Sequence, residues 1–381
     1  MFLALRDLKF AKGRFLLMGL VVVLVAFLTT FLSGLSSGLI KNNISGLMAL
    51  DATHLAFEFS DKPSYRNSMV ERYMWEGWRD VPGVKTVEPL GHTMFNARML
   101  DDTSLDDVVL WGFEPGSFIE PKLVDGEPLG RLENGVIVSD LLLDRGVQIG
   151  DTIVLDRVLT ELEVIGTTAE YNIGHVPIIY APMRIWQEAT YGPPGGPPPG
   201  EKLPDILYDF ASIAVMQVES GTGSETIVNA DLDNETVTLS KDPEAYEAST
   251  GYKEEIMTVQ MIQGFLIIIS AIVISAFFTV WTIQRTKEIG LVKALGASNV
   301  YLLRDALGQV LCLLLIAVVI GSALGYWLGL RFEDSALSFM LEPNTVISNS
   351  LLIIVAGLVG CALSIRLITR VEPIIALGRE Q

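Results

Sequence analysis

The apolar positions of this chain gather into four long runs that contain no charged residue: 15–40, 256–284, 306–330 and 343–365. About 20 apolar residues, rising 1.5 Å each, cross the hydrocarbon core of a bilayer. All four runs reach that length and exceed what a buried helix of a soluble core needs. The pattern therefore predicts one membrane span, then the polar segment 41–257, then three more spans. The first run is longer than the apolar stretch of a cleaved signal peptide and is expected to be a retained helix.

Inside the polar segment the periodicity changes. A helical continuation follows Ile40. Residues 64–80 read as a helix, with Met69, Tyr73, Trp75 and Trp78 at helical spacing and Pro82-Gly83 as its stop. After it come short runs rich in β-branched residues: Val84–Pro89, Val108–Gly112, Val136–Ser139, Thr152–Leu155, Glu161–Thr167 and Ile213–Val218. Turns are expected at Asp101-Asp102 and Gly150-Asp151, and a short helix over Asp140–Arg145. The run Gly192–Gly200, made only of glycine and proline, is a surface loop. Residues 222–232 and 242–263 read as helices, the second leading directly into the second span. The expected fold class is a multi-pass α-helical membrane protein with four transmembrane helices (1+3) and an α+β extracytoplasmic domain inserted between helices 1 and 2.

Charge sharpens this division. A formal net charge of −18 coexists with a mean hydropathy of +0.42, so polar and apolar character must be segregated. Segment 41–257 holds 15 Lys and Arg against 37 Asp and Glu, a net charge of −22. Basic residues mark the cytoplasmic side of short loops. Arg6, Lys9, Lys12 and Arg14 precede the first span. Arg285, Lys287, Lys293 and Arg304 lie between spans two and three, and Arg366, Arg370 and Arg379 lie in the tail. Four spans put all three groups on one side, so both termini are expected in the cytoplasm and the acidic domain outside it.

Little in the chain suggests catalysis. Cys312 and Cys361 both lie in spans, so no disulfide framework holds the polar domain, and no lipidation signature occurs. His54, His92 and His175 lack metal-ligand spacing, and HExxH, GxSxG and CxxC motifs are absent from segment 41–257. No phosphate-loop motif, Gly-x-x-x-x-Gly-Lys-Ser/Thr, occurs either. The span interiors carry no Asp, Glu, Lys or Arg, which gives no sign of an ion-coupled pathway. Gly321, Gly325 and Gly329 form a small-xxx-small stripe on the third span, and Gly34 and Gly38 do so on the first.

The loop after the second span reads from Arg285 to Ser298. Ile289, Val292 and Leu295 recur at helical spacing with charges opposite, the pattern of a short amphipathic helix ending at Gly296. The run Lys287-Glu288-Ile289-Gly290 through Ala294-Leu295-Gly296-Ala297 resembles the signature of the FtsX-like (MacB-like) permeases, the membrane subunits of type VII ABC systems. The tail Val371–Leu377 is similar to that family's closing motif, and Leu5–Lys9 to its leading amphipathic helix. Gly135–Ser139 through Val147–Thr152 resembles its extracytoplasmic core.

The resemblance implies a division into a cytoplasmic amphipathic helix (1–14), TM1 (15–40), the extracytoplasmic domain with helical stalks (41–257) and TM2 (258–284). A coupling helix (285–301), TM3 (302–330), an outer loop (331–345), TM4 (346–368) and a cytoplasmic tail (369–381) follow. It also implies a non-enzymatic subunit: a homodimer in membrane lipid, working with two copies of an ABC ATPase that binds ATP-Mg, with no nucleic acid partner and no intrinsic cofactor. The ATPase would push the coupling segment at Arg285, Lys287, Glu288, Ile289, Gly290, Lys293, Leu295 and Gly296. The spans and stalks would pass that motion outward, a mechanism called mechanotransmission.

Within the family the chain is most similar to haem-efflux permeases of Gram-positive bacteria, which implies export of a hydrophobic or amphipathic compound, with haem as the transported substrate. Axial ligands to haem iron would come from Met, His, Tyr or a carboxylate. The candidates are Met48, His54, Glu219, Met257, Met261 and Met340. Two alternatives remain: a mechanical regulator of an extracytoplasmic cell-wall hydrolase, and extraction of lipoproteins or peptides.

Overall fold

A computed structural model describes residues 12–195, 202–284, 296, 298–332 and 339–369. The chain divides into two compact units, one of Met1–Leu39 with Glu255–Gln381 and one of Ile40–Glu254. Seven α-helices are described: α1 Lys12–Ala49, α2 Arg72–Gly77, α3 Met183–Tyr191, α4 Ser224–Asp233, α5 Tyr252–Gln284, α6 Asn299–Gly329 and α7 Pro343–Thr369. Of these, α1, α5, α6 and α7 are long and apolar enough to span a membrane.

Each span closes its own backbone hydrogen bonds, which hydrocarbon demands. Ser298 caps α6 by accepting from the Tyr301 amide at 3.2 Å. The core of this unit is built from Met18, Val22 and Ala26 of α1, Val310, Leu314 and Ala317 of α6, and Ile353 of α7. Close approach depends on the small-residue stripe. A Cβ on Gly321 would lie 2.4 Å from the Val23 carbonyl oxygen, and one on Gly325 would lie 3.1 Å from that of Phe27. Gly34 and Gly329 instead face the ring of Phe339. On α7, Gly360 packs against the Ala271 carbonyl of α5. The second span is the least covered: 6% of its apolar window is buried, against 39% for the first and third.

Among the described residues of the inserted unit are thirteen strands: β1 His54–Glu58, β2 Val70–Glu71, β3 Val84–Met99, β4 Ser104–Phe113, β5 Asp125–Gly126, β6 Gly135–Ser139, β7 Thr152–Leu155, β8 Thr160–Thr168, β9 Asn172–Ile173, β10 Val176–Pro182, β11 Phe210–Ala211, β12 Ile213–Val218 and β13 Thr236–Ser240. Two lobes share the long strand β3. Its first half closes the antiparallel sheet β13-β1-β12-β3. Its second half joins a closed ring, β3-β4-β10-β6-β8-β7, with β10 parallel to β4 and β6 parallel to β8. Closure leaves the ring no free edge and lets alternate residues fill its centre. Phe95, Val108, Leu110, Val136, Val138, Ile153, Leu162 and Ile179 are all buried there.

A slot at the seam holds Trp186 of α3, which is 1% exposed. Gly91 and Gly112 sit opposite each other across β3 and β4, and a Cβ on either would come within 2.2 Å of the Trp186 side chain. The Trp186 Nε1–H donates to Thr93 Oγ1 at 3.0 Å.

Several boundaries differ from expectation. The helix expected over 64–80 is confined to 72–80, as α2 and one 3₁₀ turn, because Val70 and Glu71 pair with Ala211 and Phe210 instead. The helix expected over 242–263 is interrupted before Tyr252, where Gly251 takes a φ of +83°. The short helix after Ser139 is a 3₁₀ turn over Asp140–Leu142. The helical continuation expected after Ile40 is present: α1 runs on to Ala49, and its last ten residues belong to the inserted unit.

Candidate functional site

In the inserted unit, the three candidates Met48, His54 and Glu219 lie at one end of the sheet, where α1 joins it. Met48 is exposed at the last turn of α1, and its carbonyl accepts from Lys241 Nζ at 2.9 Å. That ammonium also reaches the Leu50 carbonyl, so it caps the helix C-terminus, where cations are favoured. Burial lowers the Lys241 pKa, with Asp51 and Asp242 acting against the shift. His54 opens β1 beside Met216 and Ser240, with Nδ1 3.0 Å from Thr53 Oγ1. Its pKa is lowered by burial, against the pull of Glu244. Glu219 follows β12, exposed, with its amide donating to the Gly83 carbonyl.

In the membrane unit, Met257 and Met261 lie one turn apart on α5 and are 57% and 58% exposed. Met340 lies in the segment before α7, and its amide donates to the Gly34 carbonyl at 3.0 Å. Beside it, Phe339 packs on Phe31, which also meets Phe27 and Phe332. Of the coupling residues, Arg285, Lys287, Glu288, Ile289, Gly290, Lys293 and Leu295 lie outside the described residues. Gly296 is described, with a φ of +98°.

A polar cluster inside the bundle escapes a search of the sequence for charges. Ser33 Oγ of α1 accepts from Gln263 Nε2 of α5 at 2.9 Å and from Asn349 Nδ2 of α7 at 2.7 Å. One turn earlier, Thr30 donates to Ser322 of α6 at 3.1 Å. One hydroxyl thus joins three spans, and its neighbour reaches the fourth. The signal was present as uncharged polar residues within apolar runs, which act as interhelical ties.

His92 plays a structural part. The Trp111 Nε1–H donates to His92 Nδ1 at 3.0 Å, and burial pulls its pKa down to about 4. The unfolded chain takes up that proton near pH 6.5, so the folded state is fully favoured above 6.5 and loses stability as pH falls toward 4. The expected loss is about 3 kcal/mol. A His92→Gln variant of the full-length protein should show a flatter fall of thermal stability between pH 6.5 and 4.

Residues 261–373 match the family described as FtsX-like permease C-terminal. Over 379 residues the chain is 25% identical to the hemin transport system permease protein HrtB of Staphylococcus haemolyticus (strain JCSC1435), covering 99% of both chains. It is 24% identical over 381 residues to the protein of that name in Staphylococcus epidermidis (strain ATCC 35984), covering 100% of this chain and 99% of the relative. The solved periplasmic region of MacB from Actinobacillus actinomycetemcomitans aligns at 12% identity with a TM-score of 0.36, covering 53% of this chain and 94% of that one. Residues 261–373 thus carry an FtsX-like permease domain. Over its whole length the chain is homologous to HrtB permeases.

Proposed function

We propose that this chain is the permease subunit of an ABC-type efflux transporter that carries a hydrophobic or amphipathic compound, with haem as the substrate, out of a bacterial plasma membrane. Both termini face the cytoplasm, the acidic inserted domain faces outward, and two copies of the chain work with two ATPase subunits. The observation that carries this reading is end-to-end similarity to the HrtB relatives, spans and inserted domain together. An uncharged bundle interior suits a passenger that travels with the lipid rather than an ion.

Motion would enter at the segment 285–296 and leave through the ends of α1 and α5. The Ser33 and Thr30 ties support spans that move together. Haem would be held by iron ligation from among Met48, His54, Glu219, Met257, Met261 and Met340.

Purified full-length protein titrated with hemin should develop a Soret band above that of an unrelated membrane protein, and substitution of one candidate should weaken it. Absence of binding by the wild-type dimer would remove haem as the substrate. Replacing Glu288 or Gly290 should abolish substrate-stimulated ATP hydrolysis by the complex without affecting membrane insertion.

A further inference from the structure

The end of α1 inside the inserted unit is held by a joint whose centre is Asn43. Asn43 is 0% exposed. Its Nδ2 donates to His175 Nε2 at 3.4 Å, its backbone carbonyl accepts from the Gly174 amide at 2.8 Å, and its Oδ1 accepts from Ser249 Oγ at 3.0 Å. One residue therefore touches both the β9–β10 hairpin and the segment that leads into α5.

Its neighbours tighten the grip. The Asn172 amide donates to Ser45 Oγ at 2.7 Å, and Asn172 Nδ2 donates to Asn42 Oδ1 at 2.7 Å. Gly46 lies so close that a Cβ there would be 2.3 Å from Ile178 Cδ1. The helix itself yields at this point: Ile44 leaves helical geometry, with φ −124° and ψ 15°.

The hairpin on the other side is stiff and well placed. Gly174 and His175 both take positive φ, 61° and 65°, the two-residue turn that matches strand twist. Past the turn, β10 runs between β4 and β6 in the closed ring. A displacement of the α1 end thus enters the ring through one strand. Asn172 Oδ1 is buried without a partner among the described residues, an open acceptor within the joint.

We infer that Asn43 is a positioning residue that locks the end of α1, the approach to α5 and the β9–β10 hairpin into one moving part. The inference rests on the proposed coupling to an ATPase. With the Asn43–Ser249 bond intact, displacement at the two helices reaches the hairpin together. Without it, each helix slips against the other, and hydrolysis proceeds while the domain lags.

The test is hydrogen exchange on the full-length chain in nanodiscs with its ATPase subunit, nucleotide-free and with ATP under blocked hydrolysis. In the wild type, the amides of Asn172 and Gly174 should exchange about fivefold differently between the two states, the factor set by one net hydrogen bond. Asn43→Ala and the milder Ser249→Ala should shrink that difference below about twofold and leave ATP hydrolysis in place, and Ser249→Thr should restore it. A difference that survives both removals would overturn the inference, as would a wild-type response elsewhere in the chain that spares the hairpin. If nucleotide changes exchange nowhere, the coupling reading itself falls and takes the joint with it. If the hairpin responds but hemin is not exported from the same nanodisc-competent protein in proteoliposomes, the joint stands and the substrate assignment fails.

Discussion

Gly321→Leu is expected to prevent assembly of the four-span unit. A Cβ at this position would lie 2.4 Å from the Val23 carbonyl oxygen and 2.7 Å from Ala26 Cβ, and neither can swing away as a side-chain tip could. Inserting atoms into a packed core costs about 1–3 kcal/mol even where side chains yield. Against a helix backbone the whole of α1 must move, so the cost is at least about 3 kcal/mol. The same change at Gly308, on the same helix, meets nothing within 4 Å. Gly308→Leu should therefore be tolerated, and leucine forms helix better than glycine by somewhat under 1 kcal/mol. Size-exclusion profiles and thermal unfolding in detergent would separate the two variants. Equal behaviour would mean that α1 and α6 do not meet at Gly321.

The second large effect is expected at Trp186. Truncation to alanine empties the slot framed by Gly91 and Gly112 and removes the indole hydrogen bond to Thr93 Oγ1, which keeps Thr190 Oγ1 at 3.0 Å. Removing a buried Trp costs about 3–5 kcal/mol, because the surroundings relax only in part. For a unit of this size that corresponds to roughly 10 °C in unfolding temperature. Trp186→Phe keeps most of the ring and loses only the hydrogen bond, so it should cost about 1 kcal/mol. Filling the slot from the other side, with Gly112→Ala, should be nearly as harmful as emptying it, since the new methyl would meet Trp186 Cβ at 2.2 Å. Unfolding of the inserted domain, followed by tryptophan fluorescence in the full-length protein, reads all three.

Some elements could be read directly from residue patterns. Thr152–Leu155 and Ile213–Val218 match β7 and β12 end for end, because each is a short β-branched run between turn residues. The spans were legible because a bilayer imposes length and absence of charge together. Strand β10 was not anticipated. It carries Pro177 and Pro182, which weaken a local strand signal, and its stability comes from partners far away in sequence, Val109–Phe113 and Ile137–Val138. Residues 64–71 read as helical for the converse reason: a serine stands near the start and Met69 leads into Tyr73, Trp75 and Trp78, yet Val70 finds a strand partner 141 residues later in Ala211.

Candidate site residues were less legible than the fold. A methionine at the surface of a span carries the same local signal whether it meets lipid, a second protomer or a ligand. The Ser33 hub and the Asn43 joint were missed because uncharged polar residues carry little information until their partners are known. Gln263, Asn349 and Ser249 stand 230, 316 and 206 residues from the groups they bond.

The pairing of β1 with β13 also bears on how such a chain can vary. His54, just after the first helix, lies beside Ser240, shortly before the second long helix begins. The inserted unit therefore begins and ends at neighbouring points, like a loop tied at its neck. Lengthening or shortening anything between those two strands leaves the neck unchanged and adds little closure entropy, since that entropy grows only with the logarithm of loop length. The domain can be enlarged, trimmed or exchanged as a module while the neck keeps its spacing. Selection is thus free to remodel the domain without redesigning the connections through which it is held.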